Sequence, residues 1–150
     1  MATLVRTTAG TELAAVRELF AEYAGAVAEP CCFAGFEREL AGLPAGYLAI
    51  FLAVEEGAAA GCVGMRKLDA QTAEMKRLYV RPAFRGRGIG RALAQATIAV
   101  AREGGYERMV LDSLPKMRSA LELYQDLEFR ETAPYLAEPT PGARCFELKL

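Results

Sequence analysis

EMKRLYVRPAFRGRGIGR, residues 74–91, contains a strand, a basic glycine-rich turn and the opening of a helix. Over residues 74–80 the alternation sets Met75, Arg77 and Tyr79 on one face and Lys76, Leu78 and Val80 on the other, the pattern of a strand covered on both sides. Pro82 has no N–H for a ladder and favours an extended Arg81, so the strand stops there. The glycines of Arg85-Gly86-Arg87-Gly88-Ile89-Gly90 allow a tight bend and leave the main chain open to a ligand. Ile89, Leu93, Ala96 and Val100 then recur at helical spacing. The turn therefore lies at a helix N-terminus, where unpaired N–H groups and the positive end of the dipole favour a phosphate.

Several readings of this turn compete. A basic surface loop, with glycines chosen for geometry alone, accounts for it without any ligand. A dinucleotide fingerprint does not, because after Gly86 and Gly88 the third glycine position holds Arg91. A P-loop is excluded by the lack of any Gly-x-x-x-x-Gly-Lys-Ser/Thr run. The pattern Arg85-x-x-Gly88-x-Gly90, placed after Leu78-Tyr79-Val80 and before an amphipathic helix, resembles the acyl-CoA pyrophosphate loop of the GCN5-related N-acetyltransferases.

Composition narrows the classes further. A chain of 150 residues buries about two-thirds of its unfolded surface, enough for one core. The net charge is −1, but residues 1–73 carry 5 basic and 9 acidic side chains, residues 74–91 carry 6 and 1, and residues 92–150 carry 7 and 9. One basic focus in an acidic chain suits a small polyanion better than an extended nucleic-acid surface. Nor does Arg85-Gly86-Arg87-Gly88 come with the aromatic platform of a single-strand binder. Thus no nucleic-acid partner is expected. The longest apolar run, residues 47–54, is far too short for a membrane span, and no signal peptide is evident. Cys31, Cys32, Cys62 and Cys145 have no metal-ligand spacing, and the chain has no histidine, so we expect reduced thiols, no metal and a cytoplasmic setting. The missing histidine also excludes a Ser-His-Asp or Cys-His site.

Outward from the central stretch, periodicity gives a strand near residues 4–7, then a helix capped by Thr11, carrying Leu13, Val16, Phe20, Tyr23 and Val27, and ended by Pro30. Phe33, Phe36, Leu40 and Leu43 make a second short helix, stopped by Pro44 and Gly46. Strands follow at 47–54 and 58–68, joined by Glu55-Glu56-Gly57, and with the central strand they form an antiparallel meander. Beyond the turn and its helix, Gly104-Gly105 is the stop signal. A strand at 108–112, a helix at 117–127 and strands at 129–133 and 144–150 complete one mixed α/β domain without repeats or linkers.

This order resembles the GCN5-related fold over most of the chain: a mixed, mostly antiparallel central sheet flanked by helices. A second signature accompanies it. The family's usual Asn, Ala, Tyr and Gly-Phe positions are occupied by Met117, Ala120, Tyr124 and Glu128-Phe129. Met117 and Glu128 depart from that pattern, the latter where a left-handed residue is common, at a cost of about 1 kcal/mol.

The resemblance implies an acetyl-CoA-dependent N-acetyltransferase in which a primary amine, on a small molecule or a peptide, attacks directly in a ternary complex. It assigns Tyr124 as the acid that protonates the departing thiolate, and a phenol protonated at neutral pH suits that task. Glu74 would be the base, directly or through a water; an ion pair with Lys76 is the competing reading. The donor would lie between strands 74–80 and 108–112, its pantetheine pairing near Leu78, Tyr79 and Val80. The N–H groups of Arg85, Gly86, Arg87, Gly88, Ile89, Gly90 and Arg91 would hold the pyrophosphate, with Arg85, Arg87 and Arg91 adding charge. Residues 29–36 and 134–142 would line the acceptor pocket, where Cys31, Cys32, Phe33, Tyr135, Pro139 and Pro141 offer walls and Glu29, Glu37 and Glu138 attract a cation. A different class, an acyl-CoA-binding regulatory module without chemistry, is motivated by Met117 and Glu128. Finally, residues 144–150 end on a strand whose free edge would be covered by a homodimer.

Overall fold

The computed structural model describes residues 2–29 and 33–150. Among them the elements run β1 (Thr3–Arg6), α1 (Gly10–Val27), α2 (Phe36–Gly42), β2 (Ala49–Glu55), β3 (Ala58–Lys67), β4 (Thr72–Val80), α3 (Ile89–Glu103), β5 (Arg108–Ser113), α4 (Arg118–Asp126), β6 (Arg130–Thr132) and β7 (Arg144–Lys149). They build a seven-stranded sheet in the order β1-β2-β3-β4-β5-β7-β6, antiparallel except where β4 meets β5. The mixed, mostly antiparallel sheet read from the sequence is therefore present.

Strand alternation divides the core. On β2, Ala49 and Ala53 join a cluster with Leu93 and Ile98 of α3 and Tyr124 of α4. Ile50 and Leu52 point the other way, to Leu13, Val16, Leu19 and Phe20 of α1. The buried face of α3 is Ile89, Leu93, Ala94, Thr97, Ile98 and Ala101, so the expected Ala96 and Val100 flank that face instead of centring it. Thr97 tolerates the interior because its hydroxyl donates to Ala94 O at 2.8 Å.

Three local expectations are corrected. Thr11 does not cap α1: the chain turns earlier, where Thr7 donates through its N–H to Ile50 O and through its hydroxyl to Ala9 O, and Ala9 holds the cap position. The helix ends at left-handed Ala28, whose N–H returns to Ala24 O, ahead of Pro30, which lies outside the described residues. The third correction concerns β7. It pairs with β6 as expected, but it also pairs with β5 from Arg108↔Lys149 to Ser113↔Arg144. It is thus an interior strand, and the bare edge invoked for a homodimer is covered within one chain. Its apolar residues Phe146 and Leu148 face the α3 cluster, as the alternation required.

Candidate active site

The site begins where β4 and β5 part. They pair only through Thr72↔Arg108, Ala73↔Met109 and Glu74↔Val110. Just beyond, the register of β4 against β3 shifts: Cys62 faces Tyr79 and Gly64 faces Lys76, so Arg77 and Leu78 together occupy the space opposite Val63. This is a β-bulge, and Arg77 takes a left-handed φ of 60° within it. The expected alternation therefore fails at Arg77. Met75 packs on the α3 cluster and Tyr79 on the α1 cluster, on opposite faces, while Leu78 and Val80 turn towards α3.

Side chains fix the bulge. The Arg77 guanidinium makes a two-point contact with Glu39 of α2, Nε to Oε2 at 3.1 Å and Nη2 to Oε1 at 2.8 Å. It also lies over the rings of Phe33 and Phe36, 4.6 and 5.3 Å from their centroids. Tyr47 Oη at 2.8 Å and Arg66 Nη2 at 2.7 Å complete the donors to Glu39. Burial pushes the Glu39 carboxyl up, but the hydrogen bonds and charge of Arg77, with help from Tyr47 and Arg66, outweigh it and hold the group below the ordinary carboxylate range.

After β4, a single 3₁₀ turn at Pro82–Phe84 leads into the glycine turn. Gly86 and Gly88 adopt φ of 78° and 79°, a region costly to other residues, and each faces open space. Phe84, Arg85 and Ala92 donate their N–H groups to Arg81 O, Pro82 O and Gly88 O. Between them, the six consecutive N–H groups from Gly86 to Arg91 have no acceptor among the described residues. They lie at the N-terminus of α3, and together they make the kind of main-chain cradle in which an anion can sit.

That cradle opens onto a cleft of about 500 Å³ lined by Leu78, Tyr79, Val80, Arg85, Gly86, Gly88, Ile89 and Gly90. Arg87 and Arg91 point elsewhere: Arg87 pairs with Glu55 at 2.8 Å, and Arg91 with Asp126 at 3.2 Å. Arg85 is the arginine of the three that lines the cleft, with Nε on Val80 O at 3.0 Å. The opposite wall carries Lys116, Arg118 and Ser119, which the sequence reading did not single out because α4 shows no phosphate-loop pattern.

An adjoining cavity shares Tyr23, Leu78 and Met117 with the cleft and reaches Tyr124. The ring of Tyr124 packs on Phe129 and Phe146, with centroids 5.9 and 6.3 Å away. Its hydroxyl has no hydrogen-bond partner among the described residues, so the group faces the cavity. Burial, with lesser contributions from Tyr23 and Asp112, pushes the phenol pKa upward and keeps it protonated. Met117 precedes α4 without capping it and accepts the Tyr23 hydroxyl at 4.0 Å. Glu128 keeps a left-handed φ of 70°, so the departure from glycine changed the residue and not the backbone.

Glu74 is buried, and its Oε2 accepts a 2.6 Å hydrogen bond from Tyr135 on the segment between β6 and β7. Lys76 Nζ stands 3.9 Å from the same oxygen, so the ion-pair reading is also realised. Burial, then the Glu74 charge, pushes the Tyr135 phenol far up, making it a permanent donor. Asp112 of β5, not flagged by the sequence, lines the cavity with Tyr124 and lies 4.0 Å from Lys76. Among the other expected acceptor residues, Glu29 pairs with Lys116 at 3.0 Å and Phe33 packs on Tyr23 and Arg77. Cys31 and Cys32 lie outside the described residues. No group of metal-binding side chains occurs among the described residues.

Comparisons with known proteins bear on the family and the fold. The model of the acetyltransferase (GNAT) family matches residues 13–129. An uncharacterised N-acetyltransferase of Schizosaccharomyces pombe is 38% identical over 97 residues, covering 64% of this chain and 60% of that protein. Human N-acetyltransferase 8B is 37% identical over 87 residues, covering 55% and 38%. The chain thus spans three-fifths or less of the length of these curated relatives. Among solved structures, an acetyltransferase from Streptococcus agalactiae superposes with a TM-score of 0.83 at 19% identity, over 99% of this chain and 98% of that one. A GNAT family acetyltransferase from Elizabethkingia anophelis, solved with acetyl-CoA bound, gives 0.66 at 23% identity over 99% and 98%. With the family model spanning most of the chain, this protein belongs to the GNAT acetyltransferase family.

Proposed function

We propose that the protein is an N-acetyltransferase that moves an acetyl group from acetyl-CoA to a primary amine by direct attack in a ternary complex. The observation that carries this reading is the run of six unpaired N–H groups at the mouth of the β4/β5 cleft, which leads inward to the Tyr124 hydroxyl. Such a cradle suits a diphosphate, and the unpaired stretch of β4 at Leu78 and Val80 suits an extended amide chain laid beside it. When bound, acetyl-CoA supplies the thioester. The chain's own residues orient and shuttle protons. Tyr124 Oη, neutral and inside the cavity, gives a proton to the departing sulfur. Glu74, held by Tyr135, takes the proton released by the amine through one water.

Thiol release with purified protein, acetyl-CoA and a broad amine panel is the direct test. We expect release with at least one amine. Acyl-CoA binding without any release would favour the binding-module reading instead. The base is tested separately, by the pH profile of Glu74→Gln: we expect the ascending limb to flatten. A limb unchanged from the unmutated enzyme would remove Glu74 from the chemistry.

A further inference from the structure

Lys76 enters the cavity beside Tyr124 with its hydrogen-bonding capacity unspent. Its side chain is only 16% exposed, and Nζ lies 3.9 Å from Glu74 Oε2 and 4.0 Å from Asp112 Oδ1. These are ion-pair distances too long for hydrogen bonds, and no acceptor among the described residues reaches the ammonium's three donors. Its neighbour Arg77 on the same wall is different, because Glu39 accepts two of its N–H groups. The Nζ atom keeps contact with water, and its donors stay open to an arriving acceptor. Ser113 and Thr140 line the same cavity, and a hydroxyl is a donor suited to an anion.

Asp112 supplies the opposite charge. It lines the same cavity as Lys76, whereas Glu74 is engaged by Tyr135 and does not line it. A cation and an anion held 4.0 Å apart without a hydrogen bond are the complement of a zwitterion whose two charged groups sit on one carbon. The rest of the lining includes Tyr23, Val27, Phe33 and Leu114, surfaces for an apolar side chain. We propose that the acceptor is a free apolar α-amino acid, its carboxylate on Lys76 and its ammonium drawn to Asp112. A peptide N-terminus, whose carboxylate is consumed in an amide, and a polyamine, which has none, leave Lys76 unanswered.

The proposal rests on the acetyltransferase reading, and one experiment separates the two. Thiol release is measured with L-leucine, L-methionine and L-phenylalanine, each beside its carboxamide and its decarboxylated amine. We expect the amino acids to exceed both counterparts in kcat/KM by about tenfold or more. Lys76→Met should erase that preference, and Lys76→Arg should retain part of it. Equal or faster turnover of the carboxamides or amines, or a preference that survives Lys76→Met, overturns the proposal while leaving the transferase reading intact. If no amine of any kind releases thiol, the transferase reading fails. Calorimetric titration of the same probes into CoA-saturated protein then decides the zwitterion site alone: heat from the amino acids and none from the carboxamides supports it, and the reverse or equal heats overturn it. The same titration decides the matter should Lys76→Met fail to fold.

Discussion

The two sides of the β4/β5 junction differ in what they offer a ligand. The β1–β4 side, with the turn it feeds, contributes mostly main chain, the unpaired stretch of β4 and the N–H groups from Gly86 to Arg91, beside the Glu74 and Lys76 side chains of β4. The side built from β5, α4 and the segment before β7 contributes side chains, namely Asp112, Tyr124 and Tyr135. Main chain suits what is common to every acyl-CoA, and side chains suit what is particular to a reaction. Only three ladder pairs join β4 to β5, so the cleft comes from the pairing that these strands forgo.

That division is broken or sharpened by substitution. Tyr124→Phe removes one hydroxyl from the side-chain half. We expect turnover to fall about 10²- to 10⁴-fold while CoA affinity by calorimetry holds within about twofold. Unchanged turnover would return Tyr124 to the core. Glu39→Ala strikes the junction itself, because it leaves the buried Arg77 guanidinium without its carboxylate; a loss of about 3–5 kcal/mol should appear in urea unfolding. The same carboxylate sets a pH dependence. Its folded pKa is depressed, so its contribution is present above the ordinary value of 4.5 and is lost as pH falls through the lower folded value. Glu39→Gln should flatten that acid limb, and an unaltered limb would show that other carboxylates dominate.

Gly88→Val tests the main-chain half. A branched side chain at φ 79° should weaken CoA binding by about tenfold or more, and full affinity by calorimetry would rule out the cradle. The smallest effect belongs to Glu128→Gly, which relieves a left-handed residue. We expect a gain of about 1 kcal/mol in unfolding free energy and no change in turnover. A loss of stability would mean that the Glu128 side chain contributes more than its backbone costs.

Much of this plan was legible in the sequence. The meander, the glycine turn and Tyr124 rest on local patterns: period-two runs, Gly-rich punctuation and an aromatic on the buried face of a short helix. What escaped depends on distant partners. The bulge at Arg77 has no glycine or proline to announce it, since its left-handed turn is held by Glu39, a helix away. The placement of β7 between β5 and β6 follows from pairing across the chain, which alternation cannot reveal. Lys76 and Asp112 meet only because two parallel strands start together and then part, so neither carries a signal in its own neighbourhood.

The interior position of β7 also orders events in time. Hairpin β2–β3 closes over a turn of Glu56 and Gly57, so its partners meet almost as soon as they are made. Strand β5 must wait for β7, with α4 and β6 threaded between them in the chain, before its second neighbour arrives. Loop closure over that distance is slow, and an unpaired β5 edge is open to capture by a strand of another molecule in the interval. Refolding followed by pulsed hydrogen exchange should therefore protect the amides of β2 and β3 before those of β5, and simultaneous protection would contradict this order. The hazard of misassembly falls on the half of the molecule that holds Tyr124, so a preparation damaged during folding should lose turnover before it loses its hairpin.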